Sequence, residues 1–150
     1  MAKKILKQNR KRHEKKISGE IKNTDRECPV WVFTDIDRSG KFAFDLSRDD
    51  FEHKEVLEKM IHYSNMTWAD IKKQTHDNGK SKHHLIDYEK MSKDAQDRLK
   101  AKHMEDDSDS MFSFAFRNLL RIIGIRRGRM FHILWYDPLH EICPSQKKHT

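Results

Sequence analysis

The sequence predicts an α+β domain: an N-terminal β-hairpin, two or three helices, and a C-terminal three-stranded antiparallel meander. Two stretches, residues 29–46 and 112–136, alternate apolar and polar side chains and are rich in β-formers. The helix-start signals lie between these stretches, in residues 47–92. Strands and helices that occupy separate runs of a chain are typical of α+β folds with an antiparallel sheet.

The predicted hairpin joins residues 29–37 to residues 41–46. Both segments alternate, and the intervening Arg38-Ser39-Gly40 supplies a turn. The second strand is expected to place three apolar side chains on one face of the hairpin. These are Phe42, Phe44 and Leu46.

Three helix starts follow. Ser47 to Asp50 resembles a capping box and predicts a helix to about residue 64. Thr67 with Asp70 predicts a second, short helix, and Ser92 is expected to cap a third over 92–103. The side chains expected to face inward are Phe51, Leu57, Met60 and Ile61 in the first helix, Trp68 and Ile71 in the second, and Ala95 and Leu99 in the third.

The meander is predicted from residues 112–117, 119–126 and 129–136, with Arg127-Gly128 as a two-residue hairpin loop. Asp137-Pro138 ends the last strand, because proline has no N–H to donate to a ladder. Polar residues 75–84 and acidic residues 105–110 are expected to be exposed loops.

Length and charge distribution divide the chain into an arm and one domain. The chain has 150 residues, of which 35% are hydrophobic and 37% charged, and this supports one small core. Residues 1–22 hold nine basic and two acidic side chains, which accounts for the whole net charge of +7. The other 22 basic and 22 acidic residues cancel. We therefore expect a basic arm over 1–27 and a single domain over 28–150.

A basic arm of this kind is typical of proteins that contact nucleic-acid phosphates, which supply affinity without reading sequence. A solvated tail that aids solubility is the alternative. The candidate nucleic-acid-binding residues are Lys3, Lys4, Lys7, Arg10, Lys11, Arg12, Lys15 and Lys16 in the arm, and Arg126, Arg127, Arg129, Lys147 and Lys148 in the domain.

Several other classes of protein are not indicated. The chain has neither an apolar run of about 18 residues nor a secretory leader, so a cytoplasmic protein without membrane association is expected. No glycine-rich phosphate loop or common catalytic motif occurs, and no cofactor is predicted. A metal site remains an alternative, and its candidate ligands are Cys28, His83, His84, His132, His140 and Cys143.

The candidate active site follows from the predicted hairpin loop. If Arg127-Gly128 is the loop, Ile123 faces His132 and Arg121 faces Leu134. Arg121, His132 and Tyr136 then share one sheet face as diagonal neighbours, about 7–8 Å apart. The same face carries apolar residues, so a second half-buried face is the alternative interpretation.

This group has the chemistry for metal-independent RNA cleavage. His132 is expected to act as general acid or base, because imidazole titrates near neutrality. Arg121 and Arg117 are expected to bind the phosphate and stabilise its developing charge. Tyr136 is expected to stack on a base or to take part in proton transfer.

The C-terminal part of the chain is similar to a small bacterial family of uncharacterised proteins. The resemblance rests on Met-Thr-Trp at 66–68, the aromatic-rich FHILWYDPLHE at 131–141, and an ending of the Cys-Pro-Ser-x-Lys-Lys-His-Thr type. It spans about residues 29–150 and implies no particular activity.

A more distant resemblance is to the RelE/HigB/ParE superfamily of toxins, in which helices precede a three-stranded antiparallel meander. It is carried by the order of elements and by the strand pattern around Arg117, Arg121, His132 and Tyr136. The chain departs from that superfamily in its length, its N-terminal hairpin and its neutral domain. The resemblance implies RNA cleavage without a metal ion and an antitoxin partner.

These observations predict a toxin-like RNA-binding protein, acting as an endoribonuclease in a toxin–antitoxin or phage-defence system. The first alternative is a non-catalytic module that binds nucleic acid or protein. A further alternative is an antitoxin or inhibitor whose acidic residues 105–109 meet a basic enzyme.

Overall fold

One five-stranded sheet organises residues 24–144, the part of the chain described by the computed structural model. The strand order is β1-β5-β4-β3-β2. The strands are β1 (Val30–Val32), β2 (His84–Leu85), β3 (Met111–Ala115), β4 (Arg121–Arg127) and β5 (Met130–Asp137). The helices are α1 (His53–Ser64), α2 (Trp68–Lys73) and α3 (Lys93–Ala101), with 3-10 turns at Tyr88–Lys90 and Glu105–Ser110. The predicted α+β class is confirmed.

The C-terminal meander is also confirmed, since β3, β4 and β5 pair in sequence as antiparallel neighbours. β2 adds an antiparallel edge beside β3, and β1 adds a parallel edge beside β5. The edge strands are two and three residues long. Such short edges offer little backbone for pairing with another chain.

The predicted N-terminal hairpin is wrong. Val30–Val32 pairs in parallel with the start of β5, and the chain then leaves the sheet. It returns at Ala43, which bridges to Trp135 in the second half of β5. Because this return is a single bridge and not a strand, Phe42 and Phe44 pack in different cores and Leu46 is exposed.

Of the four inward residues predicted for the first helix, Phe51 and Met60 are buried, although Phe51 precedes α1. Its buried residues are Val56, Met60 and Tyr63, whereas Leu57 and Ile61 are exposed. The predicted capping box is also wrong, because the helix begins only at His53 and Glu52 provides no side-chain cap.

The caps of the other two helices are as predicted. The Thr67 side chain accepts a hydrogen bond from the Asp70 N–H at the start of α2. Ser92 accepts one from the Ala95 N–H at the start of α3. The predicted inward residues of both helices are fully buried. The acidic stretch predicted as a loop is instead the 3-10 turn Glu105–Ser110.

Two apolar cores cover the two faces of the sheet. Helices α1 and α2 pack on the face that carries Phe112, Phe114 and Ile122. Helix α3 packs on the opposite face, which carries Ile123 and Ile125. The aromatic side chains of β3 are therefore core residues. None of the helices described has the length and apolar character needed to cross a membrane.

Candidate functional site

The hairpin between β4 and β5 turns one residue later than the sequence predicts. Arg127 pairs with Met130, so the loop is Gly128-Arg129. Gly128 adopts a φ of +62°, and glycine supplies this conformation at the first loop position without a steric cost. The predicted cross-strand pairs of the candidate active site, which assumed Arg127-Gly128 as the loop, are therefore wrong.

A β-bulge in β5 changes the register a second time. Ile123 pairs with Trp135 and Gly124 pairs with Ile133, which leaves Leu134 as the extra residue. An extra residue inverts the alternation of side chains between the two faces of a strand. Side chains after Leu134 therefore point to the opposite face of the sheet from the one that regular alternation from His132 would give them.

The bulge places His132 and Tyr136 on opposite faces of the sheet. His132 pairs with Ile125 of the α3-side core, whereas Tyr136 pairs with Ile122 of the core under α1 and α2. The predicted group of Arg121, His132 and Tyr136 on one face is not assembled.

The Tyr136 hydroxyl bonds to the backbone that precedes α1. It donates to the Asp50 carbonyl at 2.7 Å and accepts from the Glu52 N–H at 3.1 Å. The ring is fully buried and stacks on Phe51 with 4.5 Å between centroids. Burial raises the pKa of Tyr136. The side chain anchors the start of α1 and has no exposed surface for a base or a transferred proton.

The two arginines of the predicted site are also separated. Arg117 is exposed and forms an ion pair with Glu55 of α1. It lines a cavity of about 560 Å³ whose rim includes the exposed Leu119 and Leu139. Arg121 is 6% exposed and lies in the sheet.

His132 forms a pair that the sequence did not predict. Its Nδ1 lies 2.9 Å from a carboxylate oxygen of Asp35, on the loop that follows β1. The two side chains are 16% and 45% exposed. A carboxylate beside Nδ1 orients an imidazole and leaves Nε2 available to a substrate. Asp35 reaches this position because β1 runs parallel to β5.

The basic patch predicted on the hairpin is offset by acidic side chains. Arg127 pairs with Asp107 at 3.0 Å, and Arg129 lies 4.0 Å from Glu27. Arg126 is 6% exposed. These three candidate nucleic-acid-binding arginines therefore do not form an unopposed basic surface.

Arg126 stabilises the N-terminal end of the described chain. Its Nη2 donates to Asp25 at 2.6 Å, and its guanidinium lies 4.1 Å from the centroid of the Trp68 ring. Asp25 also pairs with Lys72. Burial opposes ionisation of Asp25, but hydrogen bonds from Lys72 and Arg126 hold its pKa below the ordinary value. Contacts of the folded part thus begin within the segment predicted as the arm.

The remaining candidate nucleic-acid-binding residues lie outside the described residues. These are Lys3, Lys4, Lys7, Arg10, Lys11, Arg12, Lys15, Lys16, Lys147 and Lys148.

Sequence reasoning missed Asp37, the most highly coordinated carboxylate of the described chain. It is 1% exposed and accepts two hydrogen bonds from Arg98, both at 2.7 Å, and one from the Trp135 indole at 3.0 Å. Lys102 lies 3.7 Å away. Burial opposes ionisation, but these donors hold the pKa of Asp37 below its ordinary value. The network ties the loop after β1 to α3 and β5.

The alternative of a metal site has no support in the geometry. Within residues 24–144, no three side chains of His, Cys, Asp or Glu lie close enough together to hold a metal ion. Cys28 and Cys143 are both unpaired.

A family model described as Uncharacterised protein UU032 matches residues 48–150, which is more than half of the sequence. The chain belongs to this family. The predicted membership of an uncharacterised family is confirmed. No curated protein and no solved structure matches the chain.

The part matched to the UU032 family begins before α1 and includes His132, Arg121 and Tyr136. It does not include Asp35, the partner of His132, or the basic arm. The His132–Asp35 pair therefore joins a residue inside the matched part to one outside it, and the basic arm lies wholly outside it.

Two histidines of this UU032 family member are held neutral by burial. His83 is 2% exposed, accepts from the Ala115 N–H through Nδ1, and donates through Nε2 to Gln74 at 2.7 Å. Burial lowers the pKa of His83 to about 3. Burial and the neighbouring Arg121 lower the pKa of His140 to about 4.

We expect the protein to lose stability as the pH falls from about 6.5, with the contribution of His140 lost by about pH 4 and that of His83 by about pH 3. The unfolded chain takes up protons on both histidines near pH 6.5, whereas the folded chain does not, so protonation favours unfolding. Above this range of pH, proton uptake by the two histidines does not lower the free energy of unfolding. Within the range, the free energy of unfolding falls. Thermal melts across the window measure the effect.

The variant His83→Gln should flatten this pH dependence, and His62→Gln, on the exposed side of α1, should not. His140→Asn removes the second contribution and retains a residue that tolerates the φ of +56° found there. A melting temperature that stays constant over the window would contradict the assignment.

Proposed function

We propose that this protein binds nucleic acid through its N-terminal basic arm, and that the folded domain contributes little to the electrostatic attraction. One observation carries the proposal. Residues 1–22 hold the entire net charge of +7, and the arginines of the hairpin are matched by acids.

The ion pairs of the domain explain why the arm dominates this proposal. Phosphate binding releases counterions in proportion to the number of cationic groups that contact the backbone. An arginine that already faces a carboxylate, as Arg127 faces Asp107, gains less from a phosphate because the acid must be displaced. In the arm, nine basic side chains are accompanied by only two acids, Glu14 and Glu20, so most of its cationic groups have no acid to displace.

Replacing six arm lysines with glutamine in the full-length protein should weaken binding to single-stranded RNA at least tenfold at physiological salt. The plot of log affinity against log salt should become shallower by roughly 4, since each phosphate contact contributes about 0.7 for a single strand. Fluorescence anisotropy over a series of salt concentrations measures both quantities. The replaced residues are Lys3, Lys4, Lys7, Lys11, Lys15 and Lys16.

A control of equal charge is available in the domain. Six exposed lysines replaced in the same way reduce the net charge equally but should leave the salt dependence nearly unchanged. These are Lys54, Lys73, Lys80, Lys90, Lys93 and Lys100. Equal losses in the two variants would show that net charge, and not the arm, determines binding. Running DNA and RNA in parallel establishes which nucleic acid is preferred.

A second candidate function is metal-independent endoribonuclease activity of the toxin type, and the His132–Asp35 pair favours it. Nε2 of His132 would take the proton of a ribose 2′-hydroxyl, whose oxygen attacks the adjacent phosphorus. The 5′-oxygen leaves and takes a proton from water, which gives a cyclic phosphate end and a 5′-hydroxyl end. A toxin of this kind, as in the RelE/HigB/ParE superfamily, would have an antitoxin partner.

If this second function is correct, His132→Ala should reduce RNA cleavage in chelator at least a hundredfold and leave RNA binding unchanged. Asp35→Asn should reduce cleavage less, because it alters only the orientation of the imidazole. The control is His62→Ala. Product analysis of labelled RNA, with and without ribosomes, measures cleavage. Intact RNA in every reaction with the wild-type protein would exclude the endoribonuclease.

A further inference from the structure

Arg121 is a buried cation at one end of the sheet. As the first residue of β4 it pairs in register with Ala115 of β3 and Asp137 of β5. Its side chain reaches little solvent, since the residue is 6% exposed. A charge removed from water is costly unless it is paired and hydrogen-bonded. The hydrogen-bond partners of its guanidinium therefore show whether the described chain provides an acceptor for every N–H group.

One nitrogen of the guanidinium has partners within the chain. Nη1 donates to the carbonyls of Asn118 and Leu120 at 2.8 and 3.1 Å. Among residues 24–144 nothing accepts a hydrogen bond from Nε or Nη2. In that range the Tyr88 hydroxyl is the only polar side-chain atom that is both fully buried and without a hydrogen-bond partner. Since Nε and Nη2 of Arg121 also lack a partner, both must retain some contact with solvent.

The acid opposite Arg121 attracts the guanidinium through space but does not bond to it directly. The Asp137 carboxylate accepts hydrogen bonds from the backbone N–H groups of Glu141 and Ile142, each at 2.9 Å. No Asp137 oxygen lies within ion-pair distance of the guanidinium. Within the described chain, Arg121 is thus a buried cation whose opposing acid, Asp137, acts on it only through space, and no residue accepts a hydrogen bond from one edge of its guanidinium.

Two histidines lie on the same side of the sheet as Arg121 or close enough to interact with its charge. His84 pairs with Ser113, which pairs with Ile123, so His84 and Arg121 project from the same face of the sheet. His140 follows β5 and is half-buried. After burial, Arg121 and then His84 lower the pKa of His140, and a backbone hydrogen bond to Cys143 opposes them.

We propose that Arg121, His84 and His140 form a binding site for a phosphate-type oxyanion. The anion is either free phosphate or the phosphate group of a nucleic acid, and only the second source rests on the proposed function. This site differs from the predicted catalytic group, because it uses neither His132 nor Tyr136.

The chemistry of the donors suits a tetrahedral oxyanion. The Nε–Nη2 edge of a guanidinium binds two oxygens of one phosphate side by side. Each imidazole already donates one N–H within the chain, His84 to the Leu85 carbonyl and His140 to the Cys143 backbone. Each ring therefore adds a donor to the remaining oxygens only when both of its nitrogens carry a proton. Lys82 and His76 add positive potential, since both contribute with Arg121 and His84 to the lowered pKa of His83. His83 itself is not a ligand, because Ala115 and Gln74 occupy both of its ring nitrogens.

Titration of the full-length protein with inorganic phosphate tests the site. We expect saturable shifts of the His84 and His140 ring signals in NMR spectra, with an affinity measurable by calorimetry. Arg121→Gln and His140→Asn should each weaken phosphate binding at least tenfold. Arg127→Gln, which removes an exposed arginine paired with Asp107, is the matched control and should bind as the wild type does.

The variants separate loss of the site from loss of the fold. If Arg121→Gln melts near room temperature, the phosphate affinities of His140→Asn and His84→Gln test the site instead. Both positions are only half-buried, so these variants should stay folded. The absence of ring shifts with phosphate, or wild-type phosphate affinity in His140→Asn and His84→Gln, would overturn the proposal.

Competition experiments distinguish the two sources of the anion. RNA oligonucleotides with and without a 5′-phosphate are added to the phosphate-bound protein. Displacement of phosphate assigns the site to nucleic acid, and no displacement assigns it to free phosphate. The arm variant with six replaced lysines should lose RNA affinity and keep phosphate affinity. The site and the proposed function therefore fail in different measurements.

Discussion

Replacing Gly124 with alanine should destabilise the protein by about 3 kcal/mol. A Cβ atom at this position would lie 2.2 Å from the His132 carbonyl oxygen and 2.8 Å from the Phe131 ring. The closest obstacle is backbone of the neighbouring strand, so a rotamer change cannot remove the clash. Relief requires β5 to move away from β4, beside the bulge at Leu134.

Denaturant unfolding of Gly124→Ala measures this effect, and Gly79→Ala is the matched control. A Cβ at Gly79 meets no atom within 4 Å, but the residue has a φ of +80°, so alanine there should cost only about 1 kcal/mol. If the two variants lose the same stability, β4 and β5 do not approach as closely at Gly124 as the structure indicates.

Strands β4 and β5 could be predicted from the sequence, but the register between them could not. Both faces of β5 are buried, and Ile133, Leu134 and Trp135 are all apolar. Register is set by a difference between the two faces of a strand. An extra residue at Leu134 exposes no apolar side chain and buries no polar one, so the sequence pattern carries no sign of the bulge.

Long-range pairing accounts for the failed hairpin. The alternation of residues 29–37 identifies a strand, and β1 does form there at Val30–Val32. Its partner is β5, about a hundred residues away, in parallel. A turn sequence next to a strand predicts a hairpin from local information, whereas a parallel partner depends on tertiary packing. Asp35 could be found as the partner of His132 only from that packing.

Helix α1 illustrates a similar limit. Two neighbouring stripes satisfy helical periodicity, one through Leu57 and Ile61 and one through Val56 and Tyr63. The structure buries the second stripe, in which the Tyr63 hydroxyl donates to the Ala115 carbonyl. Periodicity identifies the helix, but contacts with the sheet decide which of two adjacent stripes faces inward.

Electrostatic pairing across the fold offsets the charge of the three hairpin arginines among the predicted nucleic-acid-binding residues. Arg126 and Arg127 are unopposed in the local sequence, and their partners are Asp25 and Asp107, distant along the chain. The charge of the arm needs no tertiary information, because it is a property of composition. For this reason the nucleic-acid proposal depends on residues 1–22 and not on the hairpin.

Replacing Asp37 with alanine should also cost about 3 kcal/mol, because the Trp135 indole N–H and the Arg98 guanidinium both lose their acceptor. Trp135 is fully buried, so water cannot replace the lost hydrogen bond. Arg98 is 31% exposed, which keeps the cost at the lower end for a broken buried ion pair. Thermal and denaturant unfolding measure the loss.

Asp35→Ala is the matched control for Asp37→Ala, since Asp35 is 45% exposed and pairs with His132 at the surface. It should cost less than about 1 kcal/mol. The double variant Asp37→Ala with Arg98→Met should recover part of the loss, because it removes the unpaired cation. Equal losses from Asp35→Ala and Asp37→Ala would show that the carboxylate network of Asp37 does not hold the loop after β1 against α3 and β5. If Asp37→Ala is costly and Asp35→Ala is not, Asp37 fixes the loop that also carries Asp35. The orientation of His132 then depends on Asp37 as well as on Asp35.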